Sequence, residues 1–241
     1  MVENKTELLI FAATYNEVEN IENFLNQTLL TNVQKDILII DDNSPDKTWE
    51  IIEKIQKEKN NVKLIKRNGK EGLDTAHKKA FKYAKDNKYT YLITMDADLS
   101  HDPALIPEFL ENLYKFPFVI GSRYSKGGKN EMKLGRYLLS FVGNKIIKFV
   151  LGIKVDEFTT SYRGFNLNKL KNFDMNDVVS KGYSFFMETV FLVNLTKNEI
   201  KQIPIHFKDR KKGKSKIPTI ESFRTLKNLF LLKLRNFNKN K

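Results

Sequence analysis

The sequence predicts an α/β fold in which a mostly parallel, Rossmann-like sheet carries helices on both faces. Its first half alternates short apolar runs with longer segments whose apolar residues recur three and four positions apart. The runs are typical of buried strands, and the longer segments are typical of amphipathic helices. Polar residues follow several of the runs, as expected where the strands of a parallel sheet end.

Five apolar runs give the predicted strands, at residues 8–13, 37–40, 62–65, 91–95 and 118–120. Four segments with helical spacing lie between them, at residues 19–30, 48–59, 75–87 and 105–114. Because each helix connects two strands, right-handed crossovers are expected to place the strands parallel in one sheet.

The second half of the chain is more helical. Helical spacing covers residues 134–151, 183–195 and 219–237, a polar stretch covers 159–163, and an alternating strand covers 200–207. We expect one catalytic domain over residues 1–217, followed by a C-terminal amphipathic helix and tail over residues 218–241.

Composition narrows the class of protein. The 241 residues are 41% hydrophobic, which allows one substantial core, and the absence of cysteine excludes disulfides, thiol nucleophiles and thiolate zinc sites. We expect neither a secretory signal nor a spanning helix, because charged residues interrupt even the apolar segment at 133–155. The net charge of +13 favours anionic partners such as phosphorylated substrates or anionic lipid.

Asp96 and Asp98 form the sharpest candidate site, because they follow directly on the fourth predicted strand. Residues two apart on a strand point to opposite faces, so joint action of the carboxylates requires a turn here. The resulting oxygen ligands would suit Mg²⁺ or Mn²⁺ bridging a diphosphate. The alternative is a solvated loop in which Ser100 or Asp102 caps the next helix.

Other candidate segments each have a simpler structural alternative. Residues 14–17 can bind a nucleotide or merely start a helix, and residues 41–48 can contact a base or ribose or merely form a turn. Arg123 follows the fifth strand, where a guanidinium suits a phosphate. The basic loop at 209–216 can close over a diphosphate or stay solvated. The three histidines lie in separate elements and are expected to be structural.

Taken in order, these motifs resemble the inverting glycosyltransferases of family two. The likeness covers residues 7–217 and is carried chiefly by Thr14-Tyr15-Asn16-Glu17, Asp41-Asp42-Asn43-Ser44-Pro45-Asp46, Met95-Asp96-Ala97-Asp98-Leu99-Ser100-His101, Gly121-Ser122-Arg123-Tyr124 and Asp209-Arg210 with Ser215-Lys216. Within the family, the chain is most similar to the dolichol-phosphate and polyprenol-phosphate mannose synthases. The resemblance implies a glycosyltransferase A-type fold and inverting transfer of mannose from GDP-mannose to a polyprenyl or dolichyl phosphate.

The resemblance also implies a role for each matching residue. The residues expected to bind the nucleotide sugar are Ala13, Tyr15, Glu17, Ile39, Asp41, Asp42, Ala97, Arg210 and Lys216. Those expected to hold the divalent metal, Mg²⁺ or Mn²⁺, are Asp96, Asp98 and Ser100. The acceptor phosphate is expected at Arg123, Arg136 and Ser140, and the catalytic residues are expected to be Asp96, Asp98 and Arg123.

Four positions depart from the family pattern. Ala13 stands where the family usually has proline, and Asp74 stands where a glycine is common. Glu157 and Thr160 replace the usual aspartate and glycine. Asp74 is expected beside the donor cleft, where it bears on the identity of the sugar or the base.

Residues 134–151 and 217–237 combine apolar and basic side chains, and they are candidates for lying in a membrane interface. The alternative is that both are core helices whose lysines reach the surface. We expect a peripheral protein at the cytoplasmic face of a membrane, with a membrane-spanning subunit as a candidate partner.

Two other functions stay open on the sequence alone. Transfer to a saccharide or protein would need a general base, for which Glu188 and Asp156 are candidates. A nucleic-acid-binding module would use the positive charge, but carboxylates at three strand ends repel a phosphate backbone, so we expect no nucleic-acid partner.

Overall fold

The structure is a computed structural model that describes residues 6–209 and 220–239. The strands in these ranges are β1 (Leu8–Thr14), β2 (Asp36–Asp41), β3 (Val62–Lys66), β4 (Tyr91–Thr94), β5 (Phe118–Ser122), β6 (Lys129–Asn130), β7 (Arg163–Asn166), β8 (Ile200–Pro204) and β9 (His206–Phe207). The α-helices are α1 (Ile21–Leu30), α2 (Thr48–Glu58), α3 (Leu73–Asp86), α4 (Ile106–Leu113), α5 (Leu134–Leu151), α6 (Tyr183–Leu195) and α7 (Ile220–Lys239).

Within the described residues, the main sheet has seven strands in the order β3-β2-β1-β4-β7-β5-β8. Strands β1, β2, β3 and β4 pair in parallel, as do β5 and β8, whereas β7 runs antiparallel to both of its neighbours. Strands β6 and β9 form a separate two-stranded sheet. The predicted fold class, a mostly parallel sheet covered by helices, is confirmed.

Alternation along the strands creates a core on each face of the sheet. In β1, Leu9 and Phe11 contribute to the core beneath α3, α5, α6 and α7, and Leu8 and Ile10 contribute to the core beneath α1, α2 and α4. All four side chains are essentially buried. Because both faces are covered, β1, β2 and β4 are apolar along most of their length, and their polar residues lie at the strand ends.

Strand β7 was not predicted from the sequence: Arg163, the last residue of the polar stretch at 159–163, is the first residue of this central strand. Arg163 is 1% exposed, and its guanidinium donates to the carbonyls of Phe158, Thr160 and Phe186. Burial lowers its pKa to about 9, which still leaves it cationic at neutral pH. A strand containing a charged residue gives no apolar signal, so the sequence pattern concealed it.

Close packing explains the residue that follows. A side chain on Gly164 would place its Cβ 2.8 Å from the side chain of Leu113. Glycine at this position therefore lets α4 approach the middle of the sheet.

The predicted single strand at 200–207 was wrong, because it is two strands in different sheets. β8 pairs with β5, and β9 pairs with β6. Between them, the Ile205 N–H donates to the carbonyl of Ser122, at the end of β5. The chain therefore changes partners beside the strand ends, where the site lies.

The last helix contributes to the core as well as to the surface. Leu229 and Leu232 of α7 are buried in the core beneath α6 and α5, while Phe230 and Leu234 are exposed. The division of the chain at residue 217 stays a prediction, since the connection at 210–219 lies outside the described residues. No helix in the described ranges has both the length and the apolar character needed to cross a membrane.

Acid should destabilise the fold through His77, which is packed among the rings of Phe11, Phe185 and Phe186. Burial lowers its pKa to about 3, so between about pH 6.5 and 3 the unfolded chain binds one more proton than the folded chain. The stability that neutral His77 provides is present above pH 6.5 and is lost as the pH falls. Below pH 6 the free energy of unfolding should fall with decreasing pH, and we expect this fall to be smaller by about 1.4 kcal/mol per pH unit in His77→Leu than in the unmutated protein. Urea unfolding at pH 7, 6 and 5 measures the free energy of unfolding of both proteins. If it falls equally with pH in the two, the assigned role of His77 is contradicted.

Candidate active site at the carboxyl ends of the strands

The polar segments after β1, β2 and β4 lie at one edge of the sheet, as predicted, because these three strands are parallel. The segments after β1 and β2 are joined directly. The Thr14 hydroxyl donates to Asp41 at 2.7 Å, and the Glu17 N–H donates to the Thr48 hydroxyl at 2.9 Å. On the other side of β1, the Met95 N–H donates to the Phe11 carbonyl, which places Asp96 next to the end of β1.

Asp41 and Asp42 both have partners within the protein. Asp41 is fully buried, and it accepts hydrogen bonds from the Ser44 N–H and hydroxyl as well as from Thr14. Asp42 is paired with the buried Arg67. The turn chemistry considered as an alternative is therefore present here. Contact of these two carboxylates with a nucleotide stays a prediction.

Two of the proposed nucleotide contacts lie near this turn and others lie in the core. Tyr15 is half-buried, and the Lys70 ammonium stands 4.6 Å from its ring centroid. Glu17 is nearly buried and accepts from the Asn20 amide at 2.8 Å. The side chains of Ile39 and Ala97 are buried in the hydrophobic core, and Ala13 is partly buried at the end of β1. Their assignments as nucleotide contacts stay predictions.

The predicted turn is present, since residues 97 and 98 form a turn directly after Asp96. Leu99 adopts a left-handed conformation with φ of 62°, which is uncommon for a residue other than glycine. This bend lets Ser100 donate to Asp98 Oδ1 through both its N–H, at 3.0 Å, and its hydroxyl, at 2.6 Å. A left-handed leucine costs of order 1 kcal/mol, and such strain is commonly found at functional sites.

Asp96 is more exposed to solvent than the residues on either side of it. Its Oδ1 accepts from the Ser161 hydroxyl at 2.6 Å, and 37% of its side chain is exposed. No described residue donates a hydrogen bond to its Oδ2. One carboxylate oxygen is thus fixed by the protein and the other is available to a ligand.

His101 holds the backbone of Asp96 in place. Its Nδ1 accepts from the Asp96 N–H at 3.1 Å, and its Nε2 lies 3.3 Å from the Thr160 hydroxyl. Burial lowers the pKa of His101, so the ring is neutral and its proton belongs on Nε2. The structural role expected for this histidine is supported.

The arrangement of Asp96 and Asp98 fits a divalent metal that arrives with a phosphate-bearing substrate. The described residues contain no cluster of three or more ligating His, Asp or Glu side chains. Mg²⁺ and similar ions commonly use only one or two carboxylates, while substrate phosphates and water complete the shell. The oxygen donors of Asp96, Asp98 and Ser100 match that preference. A site complete in itself, such as a structural zinc site, does not.

Arg123 is held by a buried carboxylate. Its Nε and Nη2 both donate to Glu157 at 2.7 Å, and Nη2 also donates to the Thr159 hydroxyl at 2.9 Å. Burial opposes the charge of Arg123, but Glu157 outweighs it and raises the pKa above the usual value. Burial likewise works to raise the pKa of Glu157, and Arg123 lowers it instead. Among the described residues nothing accepts from Nη1, so this edge is available to an anion.

The other residues expected at the acceptor phosphate lie on α5. The Tyr124 hydroxyl donates to the Ser140 hydroxyl at 2.7 Å, which connects Ser140 to the residue next to Arg123. Arg136 is exposed one turn earlier on the helix, and residues four apart share a helix face. The structure thus places the three residues in one region, while direct phosphate contact stays a prediction.

The entry to the basic loop is fixed beside the carboxylate turn. The Lys208 N–H donates to the Ser100 carbonyl at 3.2 Å, and its ammonium donates to Asp102 at 2.8 Å. The Phe207 ring lies 5.2 Å from the Arg123 guanidinium carbon. The loop therefore begins at the site. Arg210 and Lys216, the residues expected to clamp the donor phosphates, lie outside the described residues.

Three participants in the site were missed as such by sequence reasoning. They are Arg67, Glu157 and Ser161, whose partners are 25, 34 and 65 positions away along the chain. Glu157 attracted notice only as a departure from the family pattern. Local spacing carries no signal for such long-range pairs.

Asp74, another position that departs from the family pattern, connects two helices. Its carboxylate accepts from the Gly182 N–H at 3.2 Å, connecting the first turn of α3 to the start of α6. This contact gives the residue a structural role independent of any sugar or base.

Comparison with known proteins identifies the family. The model of the family described as Glycosyl transferase family 2 matches residues 10–173. An undecaprenyl-phosphate mannosyltransferase from Micrococcus luteus is 32% identical over 211 residues, which cover 87% of this chain and 87% of that protein. A polyprenol monophosphomannose synthase from Mycolicibacterium smegmatis is 31% identical over 212 residues, which cover 87% of this chain and 80% of that protein.

Solved structures agree with the fold. A glucosyl-3-phosphoglycerate synthase from Mycobacterium tuberculosis, in complex with Mn²⁺ and UDP-glucose, gives a TM-score of 0.64 at 14% identity over 95% of this chain and 79% of that one. A mannosyltransferase from Pyrobaculum calidifontis, in complex with GDP-Man and Mn²⁺, gives 0.51 at 13% identity over 85% of this chain and 58% of that one. At these identities, the likeness establishes the glycosyltransferase A-type fold alone.

The geometry of His101 predicts a single tautomer at neutral pH. Since Nδ1 accepts from the Asp96 N–H, the proton should reside on Nε2. Long-range ¹H–¹⁵N NMR of the folded protein at pH 7 should show Nδ1 without a proton. A signal from Nδ1–H, or from the imidazolium form, would contradict this arrangement of the turn.

Proposed function

The chain belongs to glycosyl transferase family 2, and on that basis we propose that it transfers mannose from GDP-mannose to a polyprenyl phosphate at a membrane surface. The main observation behind the proposal is that Arg123, a cation suited to bind phosphate, lies near Asp96, a carboxylate suited to bind a metal ion. Arg123 and Asp96 both contact the segment 157–161, and each keeps one polar atom, Nη1 and Oδ2 respectively, that forms no hydrogen bond with a described residue.

The donor side of the proposal rests on Asp96, Asp98 and the loop that begins after Asp209. A divalent metal bound by the carboxylates would neutralise charge on the leaving diphosphate. Ser100 orients Asp98, and Ser161 orients Asp96, so the carboxylates need no rearrangement to bind. Arg210 and Lys216 would contribute further positive charge to the diphosphate.

The acceptor side rests on Arg123. A guanidinium whose Nε and Nη2 are held by Glu157 can offer Nη1 to a phosphate oxygen without losing its orientation. The Tyr124 and Phe207 rings each lie 5.2 Å from its guanidinium carbon, so the cation is partly shielded from water and its pull on an anion is strengthened. Exposed Arg136 adds a second cation on the nearby helix α5.

A phosphate acceptor also removes the need for a general base. A phosphate monoester is largely ionised near pH 7, so its oxygen can attack the anomeric carbon directly, and in-line displacement inverts that centre. The chain's own residues then act by orienting the nucleophile and by stabilising the negative charge that develops on the leaving group.

The two candidate bases for a saccharide or protein acceptor are engaged elsewhere. Asp156 accepts from Lys148 at 2.7 Å, and Glu188 is buried and accepts from the Ser180 N–H at 2.6 Å. A base must be able to reach the proton it removes. These contacts favour the lipid phosphate over a neutral hydroxyl acceptor.

Membrane association is supported by the surface of α5. Asn144, Ile147 and Leu151 face the protein interior, whereas a row of apolar side chains on the same helix is exposed: Leu134, Leu138, Leu139, Val142, Ile146 and Phe149. Helix α7 packs beside α5 and exposes Phe230, Leu231 and Leu234. Core helices with snorkelling lysines would not expose such a row. We propose that this face lies in a bilayer interface, with the protein peripheral to the cytoplasmic side.

Transfer of labelled mannose tests the reaction. With Mn²⁺ or Mg²⁺, radiolabel from GDP-mannose should pass to a polyprenyl phosphate, and Asp96→Asn should lower kcat by about a hundredfold, because the exposed carboxylate is lost. Asp86→Asn is the matched control, since Asp86 is exposed on α3 and, within the part of the chain that the structure describes, pairs only with Lys82. Label found only in soluble saccharide or protein would refute the lipid phosphate as acceptor.

Vesicle binding tests the docking face. The double variant Leu139→Glu/Phe149→Glu places charges on two side chains that are 60% and 87% exposed, so folding should be unaffected. We expect at least about a tenfold loss of binding to vesicles containing phosphatidylglycerol, since each buried apolar side chain contributes about 1.5–3 kcal/mol. Leu30→Glu is the control, because Leu30 is 83% exposed at the end of α1. Equal vesicle binding by the double variant and the unmutated protein would contradict the docking face.

A further inference from the structure

One short segment, residues 157–161, contacts both halves of the proposed site. At one end, Glu157 binds the guanidinium of Arg123. At the other end, the Ser161 hydroxyl donates to Asp96. The residue expected to receive the acceptor phosphate and the one expected to hold the metal are thus joined through five consecutive residues.

The contact at Glu157 sets the direction of the guanidinium. Glu157 is fully buried, and its Oε1 also accepts from the Thr159 N–H at 3.0 Å and from the Thr159 hydroxyl at 2.8 Å. The Thr159 hydroxyl in turn accepts from Arg123 Nη2. A carboxylate that engages Nε and Nη2 together leaves the planar group one orientation, with Nη1 as the remaining edge.

The contact at Ser161 sets the direction of the carboxylate. A hydroxyl donor on Oδ1 fixes the rotation of the Asp96 side chain, while Oδ2 accepts no hydrogen bond from the described residues and the side chain as a whole is partly exposed. Groups that hydrogen-bond to metal-binding carboxylates orient them, and losing such a group weakens metal binding.

The backbone and side chains of the segment 157–161 are also held by contacts with the protein interior. Arg163 donates to the carbonyls of Phe158 and Thr160, and His101 contacts the Thr160 hydroxyl. These bonds leave the segment's backbone little freedom. The spacing between its two ends is therefore fixed before any substrate binds.

We propose that Glu157 and Ser161 are positioning residues that act at the two ends of this segment, Glu157 on the acceptor phosphate through Arg123 and Ser161 on the metal through Asp96. The proposal rests on the function proposed above. It predicts separable effects, because each residue contacts only one of the two groups.

The test measures the KM for polyprenyl phosphate and the Kd for Mn²⁺ in the presence of GDP, the latter by electron paramagnetic resonance. Glu157→Gln keeps the shape but replaces an acceptor oxygen by an amide that faces guanidinium N–H groups. We expect it to raise the acceptor KM about tenfold or more and to leave the Mn²⁺ Kd within about twofold. Glu157→Asp, which keeps the carboxylate, should recover part of the loss.

Ser161→Ala should show the opposite pattern. The Kd for Mn²⁺ should rise about tenfold, while the acceptor KM, measured at saturating metal, stays within about twofold. Tyr89→Phe is the matched control. It also removes a hydroxyl that donates to a carboxylate, that of Asp36, but at the opposite edge of the sheet, and it should change neither constant.

Glu157→Gln leaves a buried guanidinium without its carboxylate, so Thr159→Val serves as a second variant if the first does not fold. It removes one hydroxyl and should raise the acceptor KM about threefold with the Mn²⁺ Kd unchanged. Parallel changes in both constants, or a change in melting temperature alone, would overturn the proposal. If the unmutated protein transfers no sugar to polyprenyl phosphate, the proposed function and the role of Glu157 fail together. An unchanged Mn²⁺ Kd in Ser161→Ala would overturn the role of Ser161 by itself.

Discussion

The buried guanidinium of Arg163 is the interaction on which the active-site geometry depends. It donates to the carbonyls of Phe158, Thr160 and Phe186, and no carboxylate bonds to it directly among the described residues. A cation in a protein interior costs several kcal/mol unless its donors are satisfied, so these carbonyls are held in place. One side chain thereby fixes the segment 157–161 to helix α6, and through that segment it fixes the surroundings of Asp96 and Arg123.

Some charged side chains of the proposed site pair with each other and orient their neighbours, whereas others are proposed to bind substrates. Asp42 is neutralised by Arg67, and Arg123 by Glu157, so two buried carboxylates and two buried guanidiniums form the walls. Such pairs are weak sources of stability, but they orient their members strongly. Among the described residues, Asp96 Oδ2 accepts no hydrogen bond and Arg123 Nη1 donates none. This arrangement suits a reaction that depends on placing two phosphate-bearing molecules correctly, with no proton to remove from the acceptor.

The sequence predicted those parts of the fold that depend on local pattern. The first five strands and the seven α-helices of the described ranges were predicted, with shifts of a few residues at some ends, because burial on one or both faces imposes a period on the residues. Strand β7 was not predicted because Arg163 and Gly164 are not apolar residues typical of a buried strand. The division of residues 200–207 into β8 and β9 was not predicted, because an alternating pattern does not show where a strand changes its pairing partner. The family likeness predicted roles for Asp96, Asp98 and Arg123, but it gave no indication that Arg123 is bound to Glu157.

By itself, the sequence determined the fold class, the family and the turn that carries Asp96 and Asp98, since each is encoded in residues close together or in an ordered series of motifs. Only the tertiary structure decided how those carboxylates are held. The Ser161 hydroxyl on Asp96 and the Glu157 carboxylate on Arg123 join residues 65 and 34 positions apart, through an antiparallel strand inserted between β4 and β5. Bonds of this kind depend on where the chain returns in space, and no local period or propensity records that position.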